Sequence, residues 1–166
     1  MNTCKPRGTK KRIHSPRCPK DTVVVYTDAS LLLPHKGKKG SAAVGVYIPS
    51  LAITEGKKVS GTSSDEVKMR AILHGMVIAK NNGVENIIIK SDSQTAVNRA
   101  NGRKSGYYVS ADGLLGLQKR IREYAKNFKF CVAVWVPRRM NKEANAMARM
   151  HNGCADSFYK ILEMKL

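Results

Sequence analysis

Two short segments, the almost unbroken apolar "TVVVYT" at 22–27 and "VENIIIK" at 84–90 with its three consecutive isoleucines, constrain this chain more than any other feature. Each has the length of a strand, and neither alternates polar with apolar, as expected when both faces are covered. Between them, residues 65–80 carry helix signals: Ser64 or Asp65 as a cap, acids in the first turn, and an Asn-Asn-Gly stop at 81–83. Buried strands separated by helices define a layered α/β domain.

The remaining segments extend that plan. "AAVGVYI" (42–48) reads as a second strand, and the more polar "AITEGKKVSG" (52–61) as a third at the sheet edge. A short helix from Ser93 to Asn101 and a loop at 102–110 come after the fourth strand. A longer helix follows from Ala111 to Asn127, with Leu114, Leu117, Ile121 and Tyr124 on its apolar face. "FKFCVAVWV" (128–136) is a fifth strand, and helical segments at 141–152 and 155–166 close the chain. The expected architecture is a mixed five-stranded sheet flanked by helices over 21–152, with a basic tail (1–20) and a helical extension (153–166). At 166 residues, 42% of them hydrophobic, the chain suits one domain with one core. No apolar run is long enough to cross a bilayer, and nothing near Met1 resembles a secretory signal. Met1 and the tail argue for a whole chain rather than an excised domain.

Charge narrows the function classes. The formal net charge is +18, which points to a polyanionic partner. Residues 1–20 contribute seven cations and no acid: Lys5, Arg7, Lys10, Lys11, Arg12, Arg17 and Lys20. With three prolines and few apolar residues, this segment has no means of folding alone, and a phosphate backbone would hold it. It is acid-free as mitochondrial presequences are, but lacks their amphipathic face. Further basic clusters occur at Lys36, Lys38 and Lys39, at Lys57 and Lys58, at Arg103 and Lys104, and at Arg138 and Arg139. Each cluster alone is equally a solvated surface; their sum favours nucleic acid. The four cysteines form no tight pair, which favours a reducing intracellular setting, cytosol or an organelle such as the mitochondrion. Cys4, His14, Cys18, His151 and Cys154 could meet at a zinc ion, although their spacing follows no standard zinc motif.

Asp28 and Asp92 sit where the first and fourth strands are expected to end, in "VYTDAS" and "IIIKSDSQ". Either acid alone serves as a turn former, whereas two on neighbouring strands suggest a metal site. Lys68 starts a helical stripe continued by Ile72, Gly75 and Ala79, and a lysine is an odd beginning for an apolar face unless it snorkels to water.

In order and spacing, "YTDAS", "RAILHGMVIA", "KSDSQTAVN" and "WVPRRMNKEANAMAR" resemble the ribonuclease H family, in its reverse-transcriptase-like branch. The resemblance covers about residues 21–152. It implies a ribonuclease H-like fold and a site where four carboxylates hold two Mg²⁺ ions for cutting the RNA strand of an RNA–DNA hybrid. Carried over by position, the carboxylates fall at Asp28, Lys68, Asp92 and Asn145, so two of the four are replaced. The histidine-bearing loop of some members has no counterpart here. Asp65 could stand in for the second ligand, but lies a turn too early on its helix; Glu66 and Glu143 face elsewhere. The quartet sums to about −1 rather than −4, which predicts an ion-pair remnant with no metal or other cofactor.

The resulting expectation is a catalytically inactive nucleic-acid-binding protein, most simply an RNA-binding subunit of a ribonucleoprotein such as a ribosome. Two alternatives stay open. One is an active hybrid-cleaving ribonuclease with two Mg²⁺. The other is a protein-interaction module using Leu31, Leu32 and Leu33, which a loop reading of "LLLPHKGKKG" leaves partly exposed.

Overall fold

The computed structural model describes residues 18–34, 40–103 and 112–153. The expectations for the tail cations from Lys5 to Arg17, for Lys36, Lys38, Lys39 and Lys104, for Cys4, His14 and Cys154, and for a helix at 155–166 lie outside the described residues.

Five strands form one sheet: β1 (Val23–Leu32), β2 (Ser41–Ile48), β3 (Ile53–Val59), β4 (Asn86–Ser91) and β5 (Phe130–Trp135), in the order β3-β2-β1-β4-β5. The β1–β2 and β2–β3 pairs are antiparallel, and the β1–β4 and β4–β5 pairs are parallel. The sheet is therefore mixed, and β3 is an edge strand, both as the sequence predicts. Four helices accompany them among the described residues: α1 (Ser64–Asn81), α2 (Gln94–Ala100), α3 (Asp112–Ala125) and α4 (Lys142–His151).

The first strand is longer than the sequence suggests. Its parallel pairing with β4 stops at Tyr26↔Lys90, but its antiparallel pairing with β2 continues to Leu32↔Ser41. Asp28 therefore does not end the strand; it sits inside it, opposite Gly45. The polar "TDAS" stretch extends because β2 supplies hydrogen bonds after β4 has stopped. Leu31 and Leu32 are strand residues rather than loop residues for the same reason.

The helix start also differs by a residue. Ser63, rather than Ser64 or Asp65, caps α1, its hydroxyl accepting from the Glu66 N–H at 3.2 Å. Glu66 reaches back to accept from the Thr62 N–H at 3.0 Å, a reciprocal cap. That backbone bond, ahead of Arg70, holds the Glu66 carboxyl below its usual range.

Successive residues of β2 face opposite sides of the sheet, and the two sides carry different helices. On one side, Val25, Val46, Ile48, Ile87 and Ile89 pack under α1 with Met69, Ile72 and Met76, all essentially inaccessible to solvent. The helix lies close because Gly75 has no side chain: a Cβ there would come within 2.7 Å of Thr27 and 2.9 Å of Val25. Leu114, Leu117 and Ile121 of α3 join this core as the sequence predicts, with Tyr124 packed at its margin. On the other side, α4 crosses β1, β2 and β3. It approaches over Gly45, where a Cβ would meet the backbone of Ala144 and lie 2.6 Å from the Ala148 nitrogen.

These contacts set a contrast between two glycines. Gly45→Ala should cost about 3 kcal/mol of stability, since a backbone neighbour cannot rotate away. Gly116→Ala, on an exposed face of α3 with nothing within 4 Å, should add about 1 kcal/mol. Urea midpoints of the two variants give the check.

Candidate functional site: a lysine between two carboxylates

Asp28 and Asp92 each follow the last parallel pair, Tyr26↔Lys90, by two residues. This common offset brings the two side chains together just past the end of the β1–β4 ladder. Lys68, at the start of the second turn of α1, projects between them. Its Nζ donates to Asp92 Oδ1 at 2.6 Å and lies 3.5 Å from Asp28 Oδ1. Asn145, from the first turns of α4, donates through Nδ2 to Asp28 Oδ2 at 2.6 Å. The structure thus gathers Asp28 of β1, Lys68 of α1, Asp92 just past β4 and Asn145 of α4 at one point. Among the described residues, no other acid pairs with Lys68, and Asp65 takes no part.

Burial makes this cluster stringent. The side chain of Asp28 is 1% exposed, that of Asp92 8% and that of Lys68 19%. An ionised carboxylate this deep needs partners for both oxygens. Asp28 has them: the Ala29 N–H and Lys68 at Oδ1, and Asn145 at Oδ2. Burial is still the largest influence on its proton affinity and raises its pKa above the ordinary 3.8. Lys68, Asn145 and the Ala29 N–H pull it down, while Asp92 pushes it up.

Asn145 belongs to a stripe that the sequence reading missed. Asn141 Nδ2 donates to the Thr27 carbonyl at 2.9 Å, and Asn152 Nδ2 donates to the Ser30 hydroxyl at 2.9 Å. Ser41 donates to Asn152 in turn. Positions 141, 145 and 152 share one helical face, so three amides clip α4 onto β1. The signal was present as asparagines spaced by four and seven.

The remaining predicted residues are dispersed. Lys57 and Lys58 are exposed on edge strand β3, whereas Arg138 and Arg139 are exposed just after β5 at the opposite edge. Lys20 and Arg103 are exposed as well. The α3 surface adds Lys119, Arg120 and Arg122, overlooked because that helix was read for its apolar face. Leu31 packs with Ala42, Val44, Val67 and Ala71, but Leu32 and Leu33 are 51% and 67% exposed. Of the zinc candidates described, Cys18 is an exposed free thiol and the His151 Nδ1 lies 3.1 Å from the Met147 carbonyl. Among the described residues, no three His, Cys, Asp or Glu side chains converge as a metal site would require.

Asp28 predicts a pH dependence. Its folded pKa is raised, so the folded state keeps a proton that the unfolded chain has released. Its contribution to stability therefore falls as pH rises from about 3.8 through the raised value. Lys68→Met removes the strongest opposing influence and should cost about 3 kcal/mol at neutral pH. Near pH 4, where Asp28 is protonated in the variant, the loss should shrink. Urea unfolding at the two pH values tests this, and an equal loss at both would mean that Lys68 acts by packing alone.

The fold agrees with comparisons to known proteins. Residues 37–151 match the family model described as reverse transcriptase-like. The RNase H1 of the archaeon Halobacterium salinarum superposes with a TM-score of 0.67 at 23% identity, covering 78% of this chain and 96% of that one. The N-terminal RNase H domain of a Mycobacterium tuberculosis protein gives 0.63 at 21%, covering 84% and 98%. LC11-RNase H1, solved with an RNA/DNA hybrid, gives 0.63 at 19%, covering 80% and 98%. The matched span takes in Lys68, Asp92 and Asn145, and the sheet order and helix placement are those of the ribonuclease H fold: this chain belongs to the reverse transcriptase-like, RNase H-like family.

Proposed function

We propose that this protein is a non-hydrolytic, metal-free RNase H-like domain that binds RNA through its phosphates, as a structural subunit of a ribonucleoprotein. One observation carries the reading: the Lys68 ammonium sits 2.6 Å from Asp92 and 3.5 Å from Asp28, between the two carboxylates.

The residues present do not fit two divalent ions. Magnesium requires near-octahedral oxygen ligands at about 2.0–2.1 Å. Here two carboxylates and one amide face the point of convergence, and both Asp28 oxygens already accept hydrogen bonds. Two Mg²⁺ would also lie beside a fixed ammonium, and like charges about 4 Å apart repel by several kcal/mol at a protein-like dielectric. With no metal to activate water, the site has no nucleophile to offer. Its net charge of about −1, against four carboxylates' −4, leaves a surface that a polyanion can approach without a cation bridge.

The charge of +18, the acid-free first twenty residues and the exposed cations on both sheet edges support the RNA partner. Burial pushes the Cys131 thiol up to about 11, so it stays protonated and unreactive at neutral pH. The competing reading, hydrolysis of a hybrid's RNA strand, has the fold itself in its favour. Exposed Leu32 and Leu33 favour an additional protein contact.

One set of assays separates these. The unaltered protein should leave an RNA–DNA hybrid uncut in Mg²⁺ or Mn²⁺ and give no binding heat with either ion. A Lys68→Glu/Asn145→Asp variant should bind Mn²⁺. RNA affinity of the unaltered protein should be the same in EDTA and in Mg²⁺ at constant ionic strength, and should fall about a hundredfold or more between low and physiological salt. Metal-dependent cleavage by the unaltered protein would overturn the proposal.

A further inference from the structure

Edge strand β5 delivers the chain's single tryptophan to the rim of the Lys68 site. Trp135 pairs with Ser91 in the parallel ladder, and its indole Nε1–H donates to the Asp92 carbonyl at 3.2 Å. The ring is thus fixed in orientation while remaining 47% exposed. Arg138 and Arg139 are exposed in the 3-10 turn that follows the strand, as is Met140 at its end, 51% accessible. The segment 130–142, "FCVAVWVPRRMNK", contains no acid.

A pinned, half-exposed aromatic followed by two arginines suits a polyanion that also offers flat apolar faces. Nucleic acid does so when its bases are unpaired. Within a duplex both faces of each base are covered by neighbours, so a fixed indole reaches only the ends; a single strand can lay a base on it. The nearest acid, Asp92, is paired with Lys68, so a phosphate crossing this rim meets a compensated carboxylate rather than a bare one. We propose that Trp135, with Arg138 and Arg139, forms a stacking platform for single-stranded nucleic acid. The inference rests on the nucleic-acid-binding reading above and narrows it to unpaired segments.

The lone tryptophan is also the reporter. The full-length protein is titrated with a dye-labelled oligouridylate and, separately, with a blunt hybrid duplex, following dye anisotropy and tryptophan emission together. Anisotropy should show binding of the oligouridylate, with saturable quenching of Trp135 at the same midpoint and little quenching by the duplex. Trp135→Leu should weaken oligouridylate binding about tenfold, and Trp135→Phe should retain most of it. Arg138→Gln/Arg139→Gln should lower the slope of log affinity against log salt by about 1.4, two single-strand phosphates' worth. Binding with unchanged emission in the unaltered protein would overturn the platform and leave the nucleic-acid reading standing. Absence of any anisotropy change at low salt, with either RNA, would overturn the reading beneath it.

Discussion

A carboxylate placed in the middle of a central strand must be matched from outside that strand, and the demands of Asp28 organise this molecule. At 1% exposure it cannot rely on water. Its partners come from α1, which supplies Lys68, from α4, which supplies Asn145, and from the adjoining Ala29 N–H. The two helices lie on opposite sides of the sheet and meet at its end through this one group. Replacing such a cluster with apolar residues would often leave stability unchanged, while removing one member leaves a buried charge without compensation. Its role is therefore as much to fix where α1 and α4 dock as to add stability.

The same cluster explains how so basic a protein keeps acids in its centre. Lys68 and Asn145 offset the two carboxylates, leaving the cluster with a charge of about −1. The cations are left for the periphery: Lys57 and Lys58 at one sheet edge, Arg138 and Arg139 beyond the other, and Lys119, Arg120 and Arg122 on α3. The asparagine stripe of α4 serves the same end, holding the helix to β1 with neutral amides that bring no charge of their own.

Much of this was legible in the sequence. Continuous apolar runs marked strands buried on both faces, and the polar third strand marked an edge. Lys68 stood out as a cation at the head of an apolar stripe, and the resemblance to ribonuclease H gave its position a meaning. Other features were hidden for particular reasons. "TDAS" has the composition of a turn, and it extends as strand only because β2 pairs with it. Leu31 looked like loop and proved to be core, since the same pairing carries it onto the face shared with Val44 and Val67. Trp135 read as one more apolar residue of a strand; its exposure goes with its place on β5, an edge strand among the described residues.

Local order came from the chain itself. Hydrophobic periodicity and charge are written residue by residue, and short-range chemistry reads them directly, as with the α1 stripe of Ile72, Gly75 and Ala79 or the acid-free run through Arg138 and Arg139. Which side chain neutralises which could only be decided by tertiary structure. Asn145 and Asp28 are 117 positions apart, and Lys68 and Asp92 are 24. Their meeting depends on the shared two-residue offset past the β1–β4 ladder and on α4 settling over Gly45. No propensity encodes that distance. It is set by packing, and the electrostatics of the site are its consequence.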